Sequence, residues 1–118
     1  MTYDPALAAR VRAAVIDASG WDGYREIAMF GGLCWTVNTH MAVGVGEGDL
    51  MVHVGADGVE SALARGARRA TMGERTMGGV VLVSAADLPD AAAMEAWVRP
   101  AVERALARPP KPRRPAEP

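Results

Sequence analysis

The sequence predicts an α+β domain built in two layers, an antiparallel sheet of about five or six strands with three helices in the order α-β-β-β-β-α-β-β-α. Three observations predict it. Apolar residues recur at three- and four-residue spacing near both ends of the chain and over a short central stretch, which is helical periodicity. Between these stretches lie short runs in which apolar and polar residues alternate, as in half-buried strands. The first four runs are separated by only a few residues, whereas a parallel pair needs a crossover of a dozen or more, so these neighbours form an antiparallel meander.

Asp4 followed by Pro5 reads as an N-cap and a first-turn proline. Leu7, Val11, Ala14, Val15 and Ala18 then form the stripe of an amphipathic helix that stops before Gly20, while Arg10, Arg12 and Asp17 fall off the stripe and face water. After Gly20-Trp21-Asp22-Gly23 come four strands, Tyr24 to Phe30, Leu33 to Asn38, Met41 to Val45 and Leu50 to Val54. Leu33, Trp35 and Val37 alternate with Cys34, Thr36 and Asn38, and Leu50, Val52 and Val54 alternate with Met51 and His53. Asn38-Thr39-His40 and Gly46-Glu47-Gly48-Asp49 supply turns. Gly31-Gly32 marks a bend between the first two strands, where missing Cβ atoms widen the backbone's choices. Met29 and Phe30 point to opposite strand faces there, one to the core and the other to a contact surface.

Val59, Ala62 and Leu63 mark a short helix that ends at Gly66. An irregular edge strand is expected over residues 69 to 77, followed by a strand over Val80 to Val83. The last helix begins near Pro89 or Asp90 and buries Met94, Trp97, Val98, Ala101 and Ala105. Pro100 interrupts it, and a mid-helix proline removes a hydrogen bond, so a kink near Ala96 or two successive helices are expected. These elements make one domain over residues 1–107, and the proline-rich basic end, 108–118, reads as an extended disordered tail.

With 118 residues and half of them hydrophobic, the chain can build a single core without metal or disulfide support. The lone cysteine, Cys34, excludes an intrachain disulfide. The start, Met-Thr-Tyr-Asp-Pro, has no basic region followed by an apolar run, so a cytoplasmic, reducing compartment and no membrane span are expected. The net charge of −1 is uneven: Arg108, Lys111, Arg113 and Arg114 against Glu117 leave the tail basic and the body acidic. Because phosphate neutralisation supplies most non-specific nucleic-acid affinity, an acidic body disfavours a DNA-binding domain; Arg65, Arg68, Arg69 and Arg75 make its one basic patch.

The glycines at 44, 46 and 48 do not make a phosphate loop, because another strand follows them where a helix N-terminus would have to aim its amides at the anion. His40, His53 and Cys34 sit in separate elements without metal-ligand spacing, so neither a metal nor any other cofactor is expected. Cys34 beside Trp35 reads as a small core residue, and His53 alternates away from the apolar stripe of its strand. Pro109-x-x-Pro112-x-Arg114 matches a polyproline ligand pattern, one that any proline-rich tail meets easily.

Several of these residues carry a resemblance. Met29-Phe30-Gly31-Gly32, Val37-Asn38, Leu50-Met51-Val52 with Val54-Gly55, Ala62-Leu63-Ala64-Arg65, Ala67-Arg68, Arg75-x-Met77-x-Gly79 and Trp97 together resemble the TfoX N-terminal domain family, which is shared with the Sxy competence regulators. The resemblance implies a two-layer α+β fold like that of type III secretion chaperones, a regulatory role in the longer members, and no enzymatic activity. The sequence departs from the family in two places. The family's usual Asn-Gly turn is Asn38-Thr39-His40 here, which suggests a longer or differently wound loop. The arginine frequent before the Val-Gly of the fourth strand is His53, which exchanges a permanent charge for one that titrates near neutrality.

The leading expectation is therefore a non-enzymatic, cytoplasmic interaction module that is regulatory and forms a homodimer. Met29, Met41, Met51, Met72 and Met77 exceed what the predicted core stripes can hold, and methionine-rich surfaces adapt to protein partners. The candidate interaction residues are Met29, Phe30, Gly31, Gly32, His53, Arg68, Arg75 and Met77. One alternative is a small-ligand binder or enzyme with a pocket near Gly31-Gly32, between the sheet and residues 65 to 75, which requires Arg75, His53 and Cys34 to converge. Another is nucleic-acid binding through the arginine patch and the tail.

Overall fold

The computed structural model describes residues 3–20, 23–29, 32–46, 48–72 and 75–109. It contains α1 (Pro5–Ser19), β1 (Arg25–Met29), β2 (Gly32–Val37), β3 (His40–Val45), β4 (Asp49–His53), α2 (Val59–Ala64), β5 (Arg68–Met72), β6 (Arg75–Ser84) and α3 (Ala91–Ala107), with single 3-10 turns before α2 and before α3. The six strands form one antiparallel sheet in the order β1-β2-β3-β4-β6-β5. This is the expected α+β architecture and element order. The single edge strand expected at 69 to 77 is instead divided: its first part lies in β5, while residues 75–77 belong to β6, which runs on through Gly78 and Gly79 into the strand expected at 80 to 83 and pairs with β5 as a hairpin.

The helix ends follow their capping chemistry. Asp4 Oδ1 accepts from the amides of Ala6 (2.9 Å) and Leu7 (3.4 Å), and Asp90 Oδ1 accepts from Ala93 N at 2.9 Å, so orphan first-turn donors are satisfied. α3 runs unbroken through Pro100, so the expectation of two helices is not met. The proline costs the Ala96 carbonyl its helical donor, and both residues are solvent-exposed, where water replaces the lost bond. The off-stripe charges of α1 are solvated but not idle. Arg10 donates to the Leu88 carbonyl at 2.5 Å, Arg12 pairs with Glu26, and Asp17 pairs with Arg99 of α3 at 3.1 Å.

α1 and α3 pack side by side, with α3 crossing β2, β3 and β4, while α2 rests on β5 and β6. The core lies between these helices and one face of the sheet. Register shows which residues line it: Glu26, Trp35, Val43, Val52, Val81 and Arg69 are successive cross-strand partners from β1 to β5. Trp35, Val43 and Val81 are completely buried, and Val52 nearly so.

The β2–β3 connection is a two-residue loop, with Val37 opposite His40 and both Asn38 (φ 53°) and Thr39 (φ 72°) in the left-handed region. Positive φ at both central positions is the winding that Asn-Gly favours. The loop is thus neither longer nor wound differently, and Thr39 occupies a conformation that β-branched residues resist. Tertiary contacts hold it there. Asn38 Nδ2 donates to the Arg108 carbonyl at 2.7 Å and to that of Ala105 at 3.4 Å, while His40 Nε2 bonds the Pro109 carbonyl at 2.7 Å. The turn therefore caps the C-terminal end of α3 and holds the chain as far as Pro109. Residues 110–118 of the expected tail lie outside the described residues.

Candidate functional site

Two regions carry chemistry that the core does not use. The first is the sheet face away from the helices. One position along from the buried row, Ile27, Cys34, Gly44, Met51, Leu82 and Arg68 are also successive partners across all six strands. Alternation points them to the opposite side. A Cβ built on Gly44 would lie 3.3 Å from Cys34 Sγ, so the thiol lies over the glycine on that side. Ile27 is 39% exposed, Met51 and Leu82 are half-buried, and Cys34 is buried. Arg68 closes the row and pairs with Asp49 across β6 at 2.6 Å.

The second region is a cleft of about 200 Å³ between α2 and α3, floored by the end of β4. Its apolar walls include Val54, Ala62, Trp97 and Ala101, and its polar groups are His53, Ser61, Arg65 and Arg104. The Arg65 guanidinium lies over the Trp97 ring, 3.7 Å from its centroid. Arg104 donates to Asp57 at 2.7 Å, and this pairing holds the Asp57 carboxyl below its ordinary range. Arg104 also lies across Gly55, whose φ of 77° already favours glycine and where any Cβ would collide with the guanidinium. The Gly79 carbonyl accepts from both Val54 N (2.8 Å) and Gly55 N (3.0 Å), pinning the backbone beneath Arg104.

The candidate residues from the sequence scatter. Gly32 is structural: it opposes Met29 in the β1–β2 ladder, and a Cβ there would strike the Val45 carbonyl. His53 borders the α2–α3 cleft, whereas Arg68 belongs to the open sheet face. Phe30 and Gly31 lie outside the described residues, as do the side chains of Met29, Met72, Arg75 and Met77. A pocket between Gly32 and residues 65 to 75 does not form, because β3, β4 and β6 separate β2 from β5, four interstrand spacings or roughly 19 Å. Cys34 is not part of the cleft that His53 borders, so these two groups do not pair. Burial also pushes the Cys34 thiol up, which suppresses the thiolate a nucleophile needs. The arginine patch divides as well: Arg65 faces the cleft, while Arg68 and Arg69 alternate across the sheet. The sequence did not mark Arg104 as a partner of Arg65, since they sit on different helices; the one local signal was Gly55 in the Val54-Gly55 motif.

Among the described residues, no three His, Cys, Asp or Glu side chains lie close enough to share a metal ion. None of their helices is long and apolar enough to cross a membrane. Residues 18–105 match the family model of the TfoX N-terminal domain. No curated protein and no solved structure gives a significant match.

Proposed function

Because the chain belongs to the TfoX N-terminal domain family, whose members include competence regulators, we propose that it is a non-enzymatic, cytoplasmic, regulatory interaction module that pairs with a second copy of itself through the open sheet face. The observation that carries the reading is the uncharged row Ile27, Cys34, Gly44, Met51 and Leu82, which crosses five strands on the face that none of the described helices packs against. Gly44 keeps the middle of the row low, which suits face-to-face stacking of sheets at about 10 Å. In a twofold pair the same patch meets itself, so an uncharged centre brings no like charges together. Arg68, already neutralised by Asp49, falls at the rim.

Sedimentation equilibrium over a range of protein concentrations tests this reading. The wild type should associate reversibly, and Met51→Glu should weaken association at least about tenfold, because it buries an unpaired carboxylate in the contact, while leaving the circular dichroism spectrum unchanged. A strict monomer at the highest concentration, or association insensitive to Met51→Glu, would overturn it.

A further inference from the structure

The α2–α3 cleft lies on the helix side of the sheet, so it is independent of the contact face. Its lining includes Arg65, Arg104 and Ser61, and no Asp or Glu. The larger groove between α1 and the start of α3 differs: Asp17, Asp90 and Glu95 accompany Arg10 there, so any anion is opposed. Arg104 in the α2–α3 cleft is already matched by Asp57. Among the described residues no carboxylate pairs with Arg65, which leaves one formal positive charge at the cleft.

The Arg65 guanidinium sits against the Trp97 ring through a cation–π contact, which uses none of its five N–H donors as a hydrogen bond to a carboxylate and leaves them for a second partner. Trp97 is almost fully buried, so it is a fixed surface for that guanidinium. The hydroxyl of Ser61 borders the same cleft from α2, one helical turn before Arg65. The remainder of the wall is apolar: Val54, Ala62, Ala96, Pro100 and Ala101. At about 200 Å³ the space is smaller than the roughly 300–1,000 Å³ of drug-sized sites.

We propose that this cleft binds a small organic carboxylate, its anionic head on the Arg65 fork and Ser61 and its compact apolar body against Val54, Ala62 and Ala101. One net positive charge matches a monoanion, and the apolar wall gives an organic acid an advantage over inorganic phosphate. The glycines beneath Arg104 belong to the same device, because they seat that guanidinium on Asp57 and keep it from filling the space.

Benzoate titrated into the full chain, followed by amide chemical shifts, tests the assignment. Saturable shifts should centre on Ala62, Trp97 and Ala101, and neutral benzamide should not reproduce them. Arg65→Gln should weaken benzoate at least about tenfold, the scale of a lost charge-assisted hydrogen bond. Arg65→Lys keeps the charge but loses the planar fork, so it should bind with intermediate affinity, and it serves as the second variant if Arg65→Gln lowers the melting temperature. Failure of benzoate to saturate, equal binding of benzamide, binding of inorganic phosphate in its place, or full affinity in both variants would overturn the proposal.

Discussion

The two faces of the sheet are made by the same strands, one residue out of step, and they meet opposite fates. Trp35, Val43, Val52 and Val81 lie under three helices and exclude water almost completely. Cys34, Gly44, Met51 and Leu82, their immediate neighbours in sequence, lie on the face where no described helix packs; Cys34 and Gly44 are buried there and Met51 and Leu82 half-buried. Both rows are apolar, yet they differ in kind. The covered row holds large, shape-defined side chains, while the open row holds a thiol, a glycine, a thioether and one leucine. Apolarity alone does not distinguish a core from a contact surface; what distinguishes them is whether the chain supplies the second layer.

That contrast is sharpest at two consecutive residues of β4. Leu50 is completely buried in the helix-facing core, and Met51 is on the open face. Leu50→Ala should cost about 2–5 kcal/mol, the range for buried leucine truncations, whereas Met51→Ala should stay below about 1.5 kcal/mol, because little surface returns to water. Urea denaturation of the two variants measures both, and equal losses would mean that the second face is covered as well as the first.

The covered row ends in a polar bond that tests its edge. Glu26 Oε1 accepts from Trp35 Nε1 at 2.9 Å, and Arg12 grips the same carboxylate through Nε (2.6 Å) and Nη2 (3.0 Å). Glu26→Ala should cost about 1–3 kcal/mol by leaving the indole N–H without an acceptor, and Glu26→Gln less, since the amide oxygen can still accept. The Arg12 guanidinium, opposed by partial burial, holds the Glu26 carboxyl below its ordinary range. A depressed folded-state pKa stabilises above the unfolded pKa and is lost as the pH falls through the folded value. Wild-type stability should therefore fall below about pH 5, and Glu26→Gln should flatten part of that slope in denaturation followed against pH.

The smallest effect concerns the turn that sets the two rows in register. Thr39, at φ 72°, is a β-branched residue in a backbone conformation that such residues resist. Thr39→Gly should raise stability by up to about 1 kcal/mol, since relief of a left-handed β-branched residue exceeds the added flexibility of the unfolded chain. A thermal melt reads this directly, and a loss would mean that the threonine side chain stabilises the turn more than its strain costs.

The elements were largely legible because their signals are local. Asp4-Pro5, the stripe Leu7 to Ala18 and the alternation through Leu33 to Val37 each follow from neighbouring residues, and each element formed as read. The Asn38-Thr39 turn was misread because its conformation is decided from outside, by the bonds from Asn38 and His40 to the end of α3. The sequence groups Arg65, Arg68, Arg69 and Arg75 in one basic patch, and the side chain of Arg75 lies outside the described residues. For the other three, adjacency in sequence becomes dispersion in space: Arg65 joins a cleft, while Arg68 and Arg69 alternate across a strand.

By itself the sequence determined the order of helices and strands, the antiparallel meander and the alternation that separates Trp35 from Cys34, because periodicity and short connections act over a few residues. Only the tertiary structure decided that all three helices gather on one face and leave the other open, and that β6 inserts between β4 and β5. It alone brought Arg104 of α3 beside Arg65 at the end of α2, over a glycine that admits no side chain. Those outcomes depend on which distant surfaces bury each other best, and such long-range contacts leave no mark on the spacing of neighbouring residues.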